Sequence, residues 1–369
     1  MLTLPTGAKN NSFEVKEPEI ANANRQDEVE RAIRAYTPPT DSLLKNDAKE
    51  YFFYDNLTQE EQKMYDAMYE VACDPQNDMN FVRLTTTMDP ESDEFKEEYA
   101  KVYYAMCYDH PELFWLYQAI ENYVAYIVPD TYEKGEPVNV YFVLDSAYEN
   151  YEEELTAFNE AAAEFLADID TTGTDAEIER EVHDKLVDLV TYDEVVSKGD
   201  LNNLAHTAYG ALVENSDGDK NTAVCDGYAA AYVYLLQQCG INAVLVPGVA
   251  GNSEAEVGGH AWNLVELDGE WYEVDSTWDD TGTLRYQVEQ LKDDYELEYK
   301  CYSEALDDAD YSNKLGHYLY NVTTSTLSKY APDDSMLYVT KDGVYTFDMV
   351  GESVHIRATE VDMGADSLV

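Results

Sequence analysis

The sequence predicts an α+β protein, with a mainly helical first part followed by a helix packed on an antiparallel sheet. Three observations carry this expectation. Thr58 with Glu61 forms a capping-box pattern that opens a run with Met64, Tyr65, Met68, Tyr69 and Val71 at helical spacing. Thr222 to Cys239 reads as a second strong helix, with Thr222 the expected N-cap and Gly240 the stop. Beyond it, three β-branched-rich stretches follow, Asn242–Val249, His260–Leu267 and Glu270–Ser276, the last two joined by Asp268-Gly269, a strong hairpin signal.

The other elements fall around these. Residues 1–40 are polar, contain Pro5, Pro18, Pro38 and Pro39, and read as a tail or linker. Residues 41–170 form the mainly helical region. Helices are expected over Asp93–Cys107, from near Pro111 through Leu113, Phe114, Leu116, Tyr117 and Ile120, and over Tyr148–Ala167, with a strand at Val138–Leu144. Residues 171–369 form the second unit, opening with an amphipathic helix from Thr174 to Val196 whose Ile178, Val182, Leu186, Leu189 and Val190 share a side. Asp342-Gly343 predicts a C-terminal hairpin between Met336–Thr340 and Val344–Met349.

Composition sets limits on function. The chain has 76 acidic and 23 basic residues and a formal net charge of -53. Such a surface repels phosphate backbones and anionic lipid, which argues against a nucleic-acid or membrane-surface partner. No apolar run approaches the length of a membrane span. Met1 precedes a polar, Asn-rich stretch with no hydrophobic segment, so no signal peptide is expected, which is compatible with the trimmed form of an exported protein. The 5 cysteines (73, 107, 225, 239 and 301) are too few for a disulfide scaffold and show no metal-ligand spacing. Asn215, Asp217 and Asp219 alternate as in a calcium loop, but Lys220 stands where glycine is needed and no Glu closes the loop, so a surface turn is expected. His110, His183, His206, His317 and His355 fit no ligand spacing and read as structural. Neither metal nor cofactor is predicted.

Chemistry concentrates in residues 225–275. Cys225 falls in the first helical turn, where the dipole and free N–H groups favour an anion and hence a reactive thiolate. Alone, Cys225 reads as readily as a small apolar residue on the face of Tyr228, Ala229, Tyr232, Leu235 and Leu236, as Cys239 does. The hairpin changes the balance. Pairing Leu267 with Glu270 sets Trp262 opposite Asp275 and His260 opposite Thr277. His260 and Asp275 then lie on one face as diagonal neighbours, roughly 6–8 Å apart at Cβ, within reach of each other. A carboxylate that orients an imidazole, and an imidazole that shuttles a proton for a thiolate, are the parts of nucleophilic acyl transfer.

The stretch AVCDGYAAAYVYLL (223–236), followed by GGHAWNLVELDGEWYEVDSTWDD (258–280), resembles the catalytic core of bacterial transglutaminase-like proteins. VHDKLVDLVTYD (182–193) and TAYGAL (207–212) resemble the lead-in helix and loop of that family, and DHPELFWL (109–116) a segment of the helical regions preceding such domains. The resemblance is specific over about 180–280 and looser from 57 to 125. It implies a papain-like core with Cys225 as nucleophile, His260 as general base and acid, and Asp275 as orienter. No Gln lies shortly before Cys225 to complete a papain-type oxyanion hole, and Asp219 stands six residues upstream. The Cys225 N–H would supply one donor and Tyr209 or a loop amide the second, while Trp262 and Trp278 would wall the cleft or fill the core. The expected activity is thiol-dependent attack on protein or peptide amides through a thioester, with hydrolysis favoured over cross-linking because no amine-donor site is evident. The alternative is a non-catalytic binding module that keeps the fold. The expected setting is extracellular or cell-surface in a bacterium, with the cytoplasm also compatible.

Overall fold

A computed structural model describes residues 51–77, 80–116, 123–128, 133–145, 148–251, 257–280, 317 and 319–322, together with strands at 337–339, 345–346 and 355–356. The polar tail at 1–40 lies outside the described residues. In the first part, helices α1 (Phe52–Asp55), α2 (Gln59–Ala72) and α3 (Asp93–Asp109) precede α4 (Tyr151–Leu166). The expected capping box closes α2: the Thr58 hydroxyl accepts the Glu61 N–H and the Glu61 carboxylate accepts the Thr58 N–H. The helix then buries Met64, Tyr65, Met68 and Val71.

Of the helix expected from Pro111, the described residues hold a 3-10 turn at Phe114–Leu116, and the later residues Tyr117 and Ile120 lie outside the described set. The helical region also holds a three-stranded antiparallel sheet in the order β1-β3-β2, from Val82–Thr86, Val138–Leu144 and Val124–Ile127. β3 was expected with these bounds. β2 was not, because all four of its residues are buried and show no alternation to read. At the end of α3, the buried Asp109 carboxylate accepts the N–H groups of Phe53 and Tyr54 and the Tyr65 hydroxyl, which fastens α1 and α2 to it. Burial pushes Asp109 up to about 6 despite those bonds and His110.

The second part opens with α5 (Asp175–Leu189), capped by Thr174 and Glu177. It stops short of the expected Val196. Val190 is extended and leads into β4 (Thr191–Tyr192), which pairs in parallel with β5 (Thr222–Ala223). Thr222 is therefore a strand residue and no N-cap. Helix α7 (Cys225–Cys239) begins after Val224, which offers no side-chain cap, and the short α6 (Ala208–Leu212) precedes it. Gly240 ends α7 at φ 74°, with Gly240 N–H bonded to Gln237 O and Ile241 N–H to Leu236 O.

Helix α7 packs on β6 (Ala243–Gly251) and β7 (Val257–Leu267), and Asn263 Nδ2 donates to Ala229 O. The sheet is antiparallel in the order β8-β7-β6-β9, with β8 at Glu270–Val274 and β9 at Leu337–Val339. Among the described residues the C-terminal strands pair otherwise than expected. β9 pairs with the edge of β6, and β10 (Tyr345–Thr346) pairs with β11 (His355–Ile356). An open edge on a nine-residue strand is the better partner for β9 than a short local return. One contiguous apolar cluster runs from Phe53 to Val322, so both parts of the chain share a core. Among the described residues no helix is long and apolar enough to cross a membrane.

Candidate active site

The β7–β8 hairpin turns at Asp268 and Gly269, with φ 54° and 81°, the backbone of a tight two-residue reversal. Leu267 pairs with Glu270 and Asn263 with Val274, the expected register. The ladder ends there. Asp275 turns aside, and its N–H bonds Leu319 O. His260 and Asp275 nevertheless meet, with Nε2 2.6 Å from Oδ2. The other Asp275 oxygen accepts the Trp278 N–H at 3.1 Å. Asp275 is fully buried and His260 nearly so.

Cys225 enters from the other element. As the first residue of α7 its N–H has no intrahelical acceptor. Its thiol is half-buried and interacts with the His260 imidazole. Burial works to lower the His260 pKa. The Asp275 charge and hydrogen bond, together with Cys225, outweigh it and push His260 up to about 10. The ring is an imidazolium at neutral pH. Burial instead pushes Cys73 and Cys107 up to about 12, so these thiols stay protonated. Cys239 is raised by burial as well, and Cys301 lies outside the described residues.

The remaining candidates separate. Trp278 is half-buried with its ring centroid 4.9 Å from that of His260, so it walls the imidazole. Trp262 is 2% exposed; its Nε1 donates to Glu273 and its ring covers Gly248 so closely that a Cβ there would lie 2.3 Å from it. The ring also stacks on His260 at 6.0 Å, bracing the imidazole from within the core. Tyr209 packs its ring on Phe114, and its charged neighbours are Glu154, Glu214 and Glu153.

Two groups near the thiol escape a sequence reading. Tyr192 is kept a neutral phenol, chiefly by burial and then by the charges of Cys225, Glu194 and Asp226. His206 donates to Asp226 at 2.9 Å through Nδ1 and contacts Asp200 O at 3.1 Å through Nε2, locking the lead-in loop to the residue after Cys225. Burial opposes its charge, but Asp226 wins and raises its pKa. The family-like TYD spelling at 191–193 was the only hint of the first, and the 20-residue separation hid the second.

Residues 163–276 match the family model described as Transglutaminase-like superfamily. Among curated proteins the chain is similar to the kyphoscoliosis peptidase of Mus musculus, 41% identical over 61 residues, and to that of Homo sapiens, 39% identical over 61 residues. Each match covers 15% of this chain and 9% of the relative, so the chain spans less than a tenth of the length of the curated relatives it matches. A solved structure described as a crystal structure of a TGase aligns over 58% of this chain and 57% of its own, at 17% identity and a TM-score of 0.29.

Proposed function

We propose that this chain is a cysteine-dependent amide hydrolase acting on protein or peptide substrates. The observation that carries the reading is the buried imidazole of His260, held 2.6 Å from Asp275 and interacting with a thiol at a helix start. In the chemistry this supports, the Cys225 thiolate attacks the amide carbonyl carbon. His260 gives its proton to the departing amine as the C–N bond breaks, leaving a thioester. Water, deprotonated by His260, attacks the thioester carbonyl and releases the acid and the thiolate. An amine in place of water would give cross-linking by the same steps. Both matched relatives are named peptidases, which favours water. The developing oxyanion needs donors beyond the Cys225 N–H. Tyr192, whose electrostatic neighbours include Cys225, is better placed to supply one than Tyr209.

Alkylation by iodoacetamide tests the reading. In the wild-type protein Cys225 is expected to be labelled ahead of the other thiols. In His260→Ala its labelling should slow to the rate of an ordinary thiol. Equal Cys225 rates in the two proteins would sink the reading. A second result concerns pH directly. The leaving amine needs the imidazolium proton, which His260 holds below about 10. Amide turnover should therefore fall as pH rises through about 10, while alkylation, which needs no proton, should not.

A further inference from the structure

Away from the thiol, on α5, a second constellation gathers around Asp184. His183 Nδ1 lies 3.2 Å from Asp184 Oδ1, and His317 Nε2 lies 2.5 Å from that same oxygen. One ligand atom from each of the three residues falls within 4.8 Å of the others. The set is two imidazole nitrogens and one carboxylate oxygen, the donor types that suit zinc-class ions. Both histidines are buried, whereas the Asp184 side chain is 43% exposed, so the cluster opens on the carboxylate side, where Arg180 Nε lies 3.8 Å from Oδ2.

An independent observation lies behind His183. Its remote nitrogen, Nε2, is 3.4 Å from Asp279 Oδ2, and both groups are fully buried. Neither atom makes a hydrogen bond of good geometry. A carboxylate behind the far nitrogen of a histidine is the arrangement that fixes the tautomer of a metal-ligating imidazole, leaving the near nitrogen's lone pair for the ion. The separations around Asp184 are also close to ligand spacing. Donors bound to zinc at about 2.0–2.1 Å in tetrahedral geometry stand roughly 3.3–3.4 Å apart. His183 and Asp184, at 3.2 Å, are within about 0.2 Å of that. His317 and Asp184 must separate by just under an ångström, which rotation of a half-exposed carboxylate can supply.

We propose that His183, Asp184 and His317 bind one divalent transition-metal ion of the zinc class, with water in the open position. The ion would join α5 to the segment that closes the edge beyond β8. That segment is fastened to the catalytic acid, since Leu319 O accepts the Asp275 N–H and Leu319 N–H donates to Asp279. The site is thus a brace behind Asp275, and it does not depend on whether the Cys225 centre is catalytic. Positions 184 and 317 are 133 residues apart, which no motif spacing would reveal.

The test uses the full chain carrying Cys225→Ala, so that the reactive thiol cannot take the ion, in excess Mg2+ to occupy the acidic surface. Equilibrium dialysis against Zn2+ should retain about one ion per chain and raise the melting temperature. Asp184→Asn and His317→Gln, each checked for native circular dichroism, should weaken binding at least tenfold. Co2+ in place of Zn2+ should give the visible spectrum of nitrogen and oxygen ligands without a thiolate charge-transfer band. No retained zinc, equal affinity in both variants, or a thiolate band would each overturn the proposal and leave a hydrogen-bonded His-Asp-His network.

Discussion

Asp275→Asn should lower amide turnover by about 10²–10⁴-fold while the protein stays folded. The two carboxylate oxygens accept separately, Oδ2 facing His260 Nε2 at 2.6 Å and Oδ1 the Trp278 N–H at 3.1 Å. An asparagine has one acceptor oxygen for the same two donors. If that oxygen stays with Trp278, its amide N–H points at Nε2 and forces the wrong imidazole tautomer. If it serves His260, the Trp278 N–H faces another donor. Either way the charge is gone, and burial no longer meets its main opponent at His260. The alkaline limb of the rate profile should therefore move down from about 10, a signature that simple misfolding would not give. Turnover measured against pH, with melting temperature as a control, checks both points. An unchanged profile would count against Asp275 as the group that holds the imidazolium.

The second large effect is on the scaffold. Gly227→Ala should cost about 3 kcal/mol or more and disable the site as well. A Cβ at Gly227 would lie 2.3 Å from Ala205 O and 3.1 Å from Thr207 O, both backbone atoms. Neither can step aside easily. Ala205 O accepts the Val224 N–H at 2.9 Å, and the neighbouring His206 is held by Asp226. Relief requires the first turn of α7 to lift, and Cys225 is in that turn. A displacement of about 1 Å at a reacting group can cost on the order of 100-fold in rate. Denaturant unfolding should show the loss of stability and turnover the loss of rate. A variant of wild-type stability would mean that the helix and loop are not pressed together as the contacts indicate.

Much of the fold was legible because local chemistry and tertiary packing agree. Thr58 and Thr174 each cap a helix with a Glu three residues on, and those helices start where their caps stand. Asp268-Gly269 fixed a turn type, and the turn type fixed the register as far as Asn263 and Val274; the expected pairs beyond them do not form, and Asp275 reaches His260 after turning aside to Leu319. Where the reading failed, a distant partner had overridden a local preference. Thr222 has good N-cap chemistry but is held in a parallel strand by Thr191. Asp342-Gly343 has good turn chemistry, yet the strand before it finds β6. The networks of Glu179 with Tyr232, Tyr320 and Asn321, and of His206 with Asp226, join residues too far apart for any pattern to show them.

The segment at 319–322 has a consequence for how the protein comes into being. It forms a bridge from Val322 to Glu273, accepts the Asp275 N–H through Leu319, and delivers Tyr320 and Asn321 to Glu179. The residues matched by the family model end at 276. A nascent chain that has reached Asp280 therefore already holds the thiol, the imidazole and the carboxylate, but not the piece that closes over them. Until the segment at 319–322 emerges, Asp275 and Glu179 lack partners they have in the finished fold. Order of synthesis thus separates possession of these three groups from completion of their surroundings, because the segment that bonds Asp275 lies beyond the residues that the family model matches.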